Sequence, residues 1–170
     1  MGRKSTKENK NIYQVTREAL GYTRAAAAEV LETLDDDRIE KIESERSLPQ
    51  PTDVLAMAKG YNAPHLCNYY CANECPIGQE YVPEIKIKDL SQIVLEMLSS
   101  INCMNKKKDE LIEITVDGKI DKNEIEDFVG ICKELENISV AVESLQLWAE
   151  KMLATGVIDK KEYDRCREAD

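Results

Sequence analysis

A single histidine, His65, among 170 residues removes most ways of building a catalytic centre. Acid–base relays, nucleophile–base pairs and multi-histidine metal sites all lean on that residue type. One tryptophan, one phenylalanine, seven glycines and five prolines leave little of the material from which sheets and their turns are made. No glycine-rich loop is present to cradle a phosphate. No stretch approaches the roughly 18 apolar residues that a transmembrane helix needs. Residues 1–11 are polar and hold no apolar run of the secretory kind. The expectation is an all-helical, cytoplasmic, non-enzymatic chain that needs no cofactor and has no membrane partner.

What the chain has in plenty is charge. Thirty-three acidic against 23 basic side chains give a net charge of −10, which works against generic nucleic-acid binding. The distribution is uneven. Residues 1–30 carry six basic and three acidic side chains (+3), residues 31–62 four and eight (−4), and the remainder 13 and 22 (−9). The six cysteines are dispersed among good helix formers, a pattern of reduced thiols rather than of a small secreted disulfide scaffold.

Four regions follow from composition and periodicity. Residues 1–11 form a basic flexible arm with Arg3, Lys4, Lys7 and Lys10. Residues 12–72 read as short helices separated by tight turns. Gly21 stops the first helix and Thr23 caps the second, Arg24 to Leu31, whose four alanines permit close helix approach. Asp35, Asp36 and Asp37 place negative charge at the start of a third helix, where its dipole favours them, and Ile39 and Ile42 give that helix a buried face. Thr52 is expected to cap a fourth helix through Val54, Leu55, Met57 and Ala58, and a short helix is expected over Pro64 to Ala72.

Residues 73–87 read as an extended connector. Over residues 88–170 the apolar positions return to helical spacing. Leu90, Ile93, Met97, Leu98, Ile101 and Met104 form one stripe. Ile125, Phe128, Cys132, Leu135, Ile138, Val142, Leu145, Trp148 and Met152 form a longer one, in nearly heptad steps. Two such helices are expected to pack as a long antiparallel hairpin. A short repeat, Gly118 to Glu124 and again Gly156 to Glu162, combines a terminating glycine with an Asp–x–x–Glu capping box.

The segment Arg17-Glu18-Ala19-Leu20-Gly21-Tyr22-Thr23-Arg24, then Ala28 and Leu31, then Arg38-Ile39-Glu40-Lys41-Ile42-Glu43-Ser44-Glu45, then Pro49 or Pro51 before Val54-Leu55-Ala56-Met57-Ala58, resembles the Cro-repressor-like, or XRE-family, helix-turn-helix. The match covers about 55 residues. The stretch Asn68 to Cys71 and Glu74 to Gln79 is similar to a continuation found in some regulators of that family, to which no activity is attached. The resemblance implies a lambda-repressor-like helical bundle whose third helix enters the major groove of double-stranded DNA. It also implies a transcriptional regulator that works as a homodimer, here through the C-terminal helices. Carried onto this sequence, it puts Arg24 on a phosphate and Asp36, Asp37, Lys41 and Ser44 along the exposed side of the third helix. Arg38 and Arg46 would face base edges or backbone. A second expectation belongs to another class: a protein of helix-turn-helix shape that has lost DNA binding and docks a protein partner through its acidic surface.

Two further constellations are weighed against simpler explanations. Cys67, Cys71 and Cys75 recur every four residues near His65, a stripe with which thiolates hold zinc or an iron–sulfur cluster when all lie on one helix. The spacing is not that of paired Cys-x-x-Cys ligands, so structural thiols are expected, with a thiol switch the other alternative. Glu113 to Glu124 mimics a 12-residue calcium loop, but Glu113 replaces Asp at the first position and Thr115 replaces a carboxylate at the third, and the capping box accounts for the same residues. No metal is expected at either.

Overall fold

The computed structural model describes residues 10–115 and 119–169. Apart from Lys10 and Asn11 the expected basic arm lies outside them, as do Gly118 of the capping repeat and the centre of the calcium-like segment. The protein is all-helical, with no strand among the described residues. Its helices are α1 (Ile12–Ala19), α2 (Arg24–Leu31), α3 (Asp36–Glu43), α4 (Pro51–Gly60), α5 (His65–Asn73), α6 (Pro76–Tyr81), α7 (Leu90–Lys106), α8 (Lys108–Thr115), α9 (Ile125–Ala154) and α10 (Lys160–Glu168). They fall into two units: the chain up to Glu84 together with Glu150 onward, and Ile85–Ala149.

In the first unit, local chemistry fixes the helix ends. The side chains of Asn11, Thr23 and Asp35 accept hydrogen bonds from the backbone N–H groups of Gln14, Ala26 and Arg38, each satisfying an orphan donor at a helix start. Gly21, at φ +75°, ends α1 and lets the Tyr22 N–H reach back to the Arg17 carbonyl. The fourth helix starts earlier than expected. Pro51 takes its first position, where a missing N–H costs nothing, and the Asp53 carboxylate accepts from the Gln50 N–H at 2.9 Å. Thr52 is therefore inside the first turn and not the cap.

Helix α2 packs on α3 and α4, α1 on α3, and α4 on α5. Tyr13, Ala27, Leu31, Leu34, Ile39, Ile42, Val54, Met57 and Leu66 fill the core between them. Ala27 is wholly buried, and its small side chain lets the helices close in.

The expected connector is only partly extended. Pro76 opens α6, and this short helix folds back on α5. A Cβ placed on Gly78 would lie 2.0 Å from the Cys71 carbonyl oxygen. Only a glycine fits there, which is how six residues that read as linker pack as a helical corner.

In the second unit α7 turns Ile93 inward, with Met97 and Met104 half-buried on the same side. Leu90, Leu98 and Ile101, expected in the same stripe, are exposed. The longer stripe holds in part: Phe128, Cys132, Ile138, Leu145, Trp148 and Met152 are half-buried. The buried positions of α9 are Ile131, Ala141 and Ser144, while Ile125, Leu135 and Val142 are exposed. At the start of α9 the capping box is present: the Asp121 N–H donates to Glu124 Oε2 at 2.9 Å and Asp121 Oδ1 accepts from the Glu124 N–H at 3.2 Å.

Candidate nucleic-acid interface

The central feature of the first unit is a buried ionic knot that spacing along the chain does not reveal. Arg17 and Glu43 are 5% and 2% exposed. Arg17 Nε donates to Glu43 Oε1 at 2.5 Å and Nη2 to Glu43 Oε2 at 2.9 Å, and Arg24 Nε donates to the same Oε2 at 2.8 Å. Arg17 Nη1 donates to the Tyr22 carbonyl. One carboxylate thus ties the end of α1, the start of α2 and the end of α3 together. Removed from water, such a group is tolerated only when fully paired. The signal that could have found it is modest: Arg17 lies four residues after the core residue Tyr13, and Glu43 four after Ile39, so each sits on a buried helical face.

The turn between α2 and α3 is strained. Glu32 sits at φ +55° and ψ −35°, and the Thr33 N–H donates to the Leu31 carbonyl across it. This is a γ-turn with a positive-φ centre, a conformation side chains other than glycine rarely adopt. It redirects the chain within a few residues, so that Leu34 enters the core and Asp35 caps α3.

Helix α3 buries Ile39 and Ile42 and turns Asp36, Asp37 and Lys41 to the outside, with Ser44 half-exposed at its end. The cations expected beside them are largely engaged. Arg38 Nε donates to Asp53 Oδ2 at 3.1 Å, Nη1 to Ser47 Oγ at 2.6 Å, and Nη2 to the Leu48 carbonyl at 3.1 Å. Arg38 therefore clasps α3 to the start of α4 rather than projecting towards a groove. Arg46 pairs with Glu40 and donates to Ser44 Oγ at 3.0 Å. Arg24, held by Glu43, keeps 36% of its side chain exposed. The i, i+4 spacing of Asp37 and Lys41 does not produce an ion pair. Among the described residues Asp36, Asp37 and Lys41 have none. Of the seven expected contact residues the structure thus gathers Asp36, Asp37, Lys41 and Ser44 on α3 and its end, and places Arg24, Arg38 and Arg46 in ion pairs.

Cys67, Cys71 and Cys75 are half-buried free thiols. Burial pushes the Cys67 thiol up, helped by Cys71 and Glu150 nearby, which lowers its reactivity. Among the described residues no three or more His, Cys, Asp or Glu side chains are gathered as metal ligands. His65 is half-buried with its Nδ1 unpaired, and burial, with Lys151 close by, holds its pKa below the ordinary 6.5. Tyr13 donates to Glu74 at 3.0 Å, joining α1 to the end of α5, and burial pushes both groups up. No helix among the described residues is long and apolar enough to cross a membrane. Comparisons with protein-family models, with curated proteins and with solved structures find no match for this chain.

Proposed function

We propose that the first unit is a repressor-like, sequence-specific DNA-binding module and that the chain is a cytoplasmic, non-catalytic transcriptional regulator acting as a homodimer. The arrangement of α2 and α3 carries this conclusion. Two eight-residue helices joined by a tight turn pack on each other, the first capped at its exposed start by Thr23, the second burying Ile39 and Ile42 and offering Asp36, Asp37 and Lys41 outward. That is the shape with which a helix-turn-helix lays its second helix in a major groove. Carboxylates at the leading end of α3 accept from cytosine N4, and Lys41 meets phosphate or guanine.

Because affinity for duplexes comes mainly from neutralised phosphates, a face with one unpaired lysine binds weakly. The test is a titration of fluorescent mixed-sequence duplex at about 50 and 200 mM salt. Lys41→Ala lowers the salt slope by about one unit, and Arg24→Ala, whose guanidinium already serves Glu43, lowers it by less. Asp36→Asn strengthens non-specific binding by removing a repulsive charge.

A second reading is favoured by one observation: Arg24, Arg38 and Arg46 are all held by carboxylates while Asp36 and Asp37 stay unpaired at the surface. On it the same face docks a basic protein segment. Neither the natural protein nor Asp36→Asn would then shift duplex DNA at about 50 mM salt, and Asp36→Asn would weaken binding of a lysine-rich peptide.

A further inference from the structure

Helix α7 carries an exposed apolar stripe unlike the rest of the surface. Leu90, Val94, Leu98 and Ile101 are 39%, 39%, 52% and 40% exposed. At 3.6 residues per turn they fall within an arc of roughly 80° on a helix about 25 Å long. The stripe lies beside the inward face of Ile93, Met97 and Met104, so it is left over after the unit has packed.

The charge around this stripe identifies its occupant. A third of the whole chain is charged, yet from Leu90 to Asn105 the only ionisable side chain other than Cys103 is Glu96. Glu96 is itself neutralised by Lys88 at 2.5 Å. A basic or acidic partner would find nothing to pair with here. Two copies of this chain, each of net charge −10, repel one another across most orientations. On this face they meet apolar side chains with no carboxylate opposing another. The exposed apolar residues of α9 stand closer to charge: Ile125 and Val129 are interleaved with Glu126 and Asp127, Leu135 is flanked by Glu134 and Glu136, and Val142 precedes Glu143, which makes no ion pair among the described residues.

We infer that the α7 stripe Leu90–Val94–Leu98–Ile101 is the seam on which a second copy of the chain docks, face to like face about a twofold axis. It locates the homodimer proposed above and does not depend on DNA binding. About three turns of seam are fewer than a standard interface supplies, so association is expected to be weak, in the range of about 1–100 µM.

The test is sedimentation of the full chain over that range at about 0.1 and 0.5 M salt. The natural protein is expected to pass from monomer to dimer with no loss at the higher salt, because the seam is uncharged. Val94→Glu and Leu98→Glu are each expected to weaken association at least about tenfold, by setting a carboxylate in an apolar contact. Leu98→Gln is the milder companion, and helical circular dichroism checks that each variant is folded. Val129→Glu on α9 is the control and leaves the dimer intact. A chain that stays monomeric throughout overturns the assignment, and so does a dimer indifferent to Val94→Glu and Leu98→Glu. The duplex titration is a separate readout, so loss of DNA binding and loss of this seam are told apart.

Discussion

Glu32 and Glu43 show two opposite uses of one residue type. Glu32 is exposed, makes no side-chain hydrogen bond and sits at φ +55°, so its side chain adds strain and nothing visible in return. Glu32→Gly is expected to stabilise the protein by about 1 kcal/mol, the relief of a positive-φ centre less the extra freedom glycine gains when unfolded. Chemical denaturation with an unchanged m value checks it, and a loss of stability would mean the turn is unstrained. Glu43 is the reverse case. Deleting its carboxylate leaves the buried Arg17 guanidinium without its counter-ion and unhooks Arg24. Glu43→Ala is expected to cost about 3–5 kcal/mol, enough to consume much of a small domain's stability. Arg24→Ala, which leaves the Arg17–Glu43 bidentate pair in place, is expected to cost clearly less, and equal losses would show that burial of the knot is not what matters.

At the level of whole elements, the corner between α5 and α6 turns on a single atom. Gly78→Ala would set a methyl group 2.0 Å from the Cys71 carbonyl oxygen, a contact no rotamer change relieves because a Cβ is fixed by its own backbone and the oxygen is a backbone atom. The expected cost is about 2 kcal/mol or more, read as a lower unfolding midpoint with increased reactivity of Cys67 and Cys71 towards a thiol reagent. A fully stable variant with protected thiols would show that α6 does not need this close approach. The same corner marks where the sequence stops being readable. Most caps were legible because they act within three or four residues: Gly21, Thr23, Asp121 and Asp159 punctuate helices as their residue types require. Asp35 was legible for its charge alone, and Thr52 was displaced by Gln50 and Pro51. The core of the first unit was legible through Ile39, Ile42, Val54 and Met57. Helix α6 was not, because its proline and glycine are also what a linker contains, and only contact with Cys71 decides between the two. The α9 stripe was legible in part: Phe128, Cys132, Ile138, Leu145, Trp148 and Met152 are half-buried as its spacing expects, whereas a pattern drawn through large apolar side chains passes over the buried Ala141 and Ser144. At the candidate interface, helix position told which residues face outward. It said nothing about Arg38 choosing Asp53, a partner fifteen residues away.

For the whole molecule the consequential feature is that the first unit is discontinuous. It is closed by the chain from Glu150 onward, beyond the 65 residues of Ile85–Ala149, and the electrostatic surroundings of α5 register this. Lys151 lies near enough to His65, and Glu150 near enough to Cys67, to act on their protonation. His65 is the only histidine, so its ring protons report on this closure without overlap. In the intact chain, burial first and Lys151 second hold its pKa below 6.5. The folded state therefore binds a proton less readily than the unfolded one. Stability from this group is fully present above pH 6.5 and is lost as the pH falls from there through the folded pKa. Ending the chain after Ala149 removes Lys151. The His65 pKa is then expected to rise towards 6.5, and the stability lost between neutral and mildly acid pH is expected to shrink. The truncated protein is also expected to be less stable at pH 7.5, where His65 is neutral in both forms, since the unit loses part of its chain. An NMR titration of the His65 ring in both chains, with thermal unfolding at the two pH values, measures all three effects. An identical titration curve in both chains would show that the first unit closes without its C-terminal segment, as a continuous helix-turn-helix domain would.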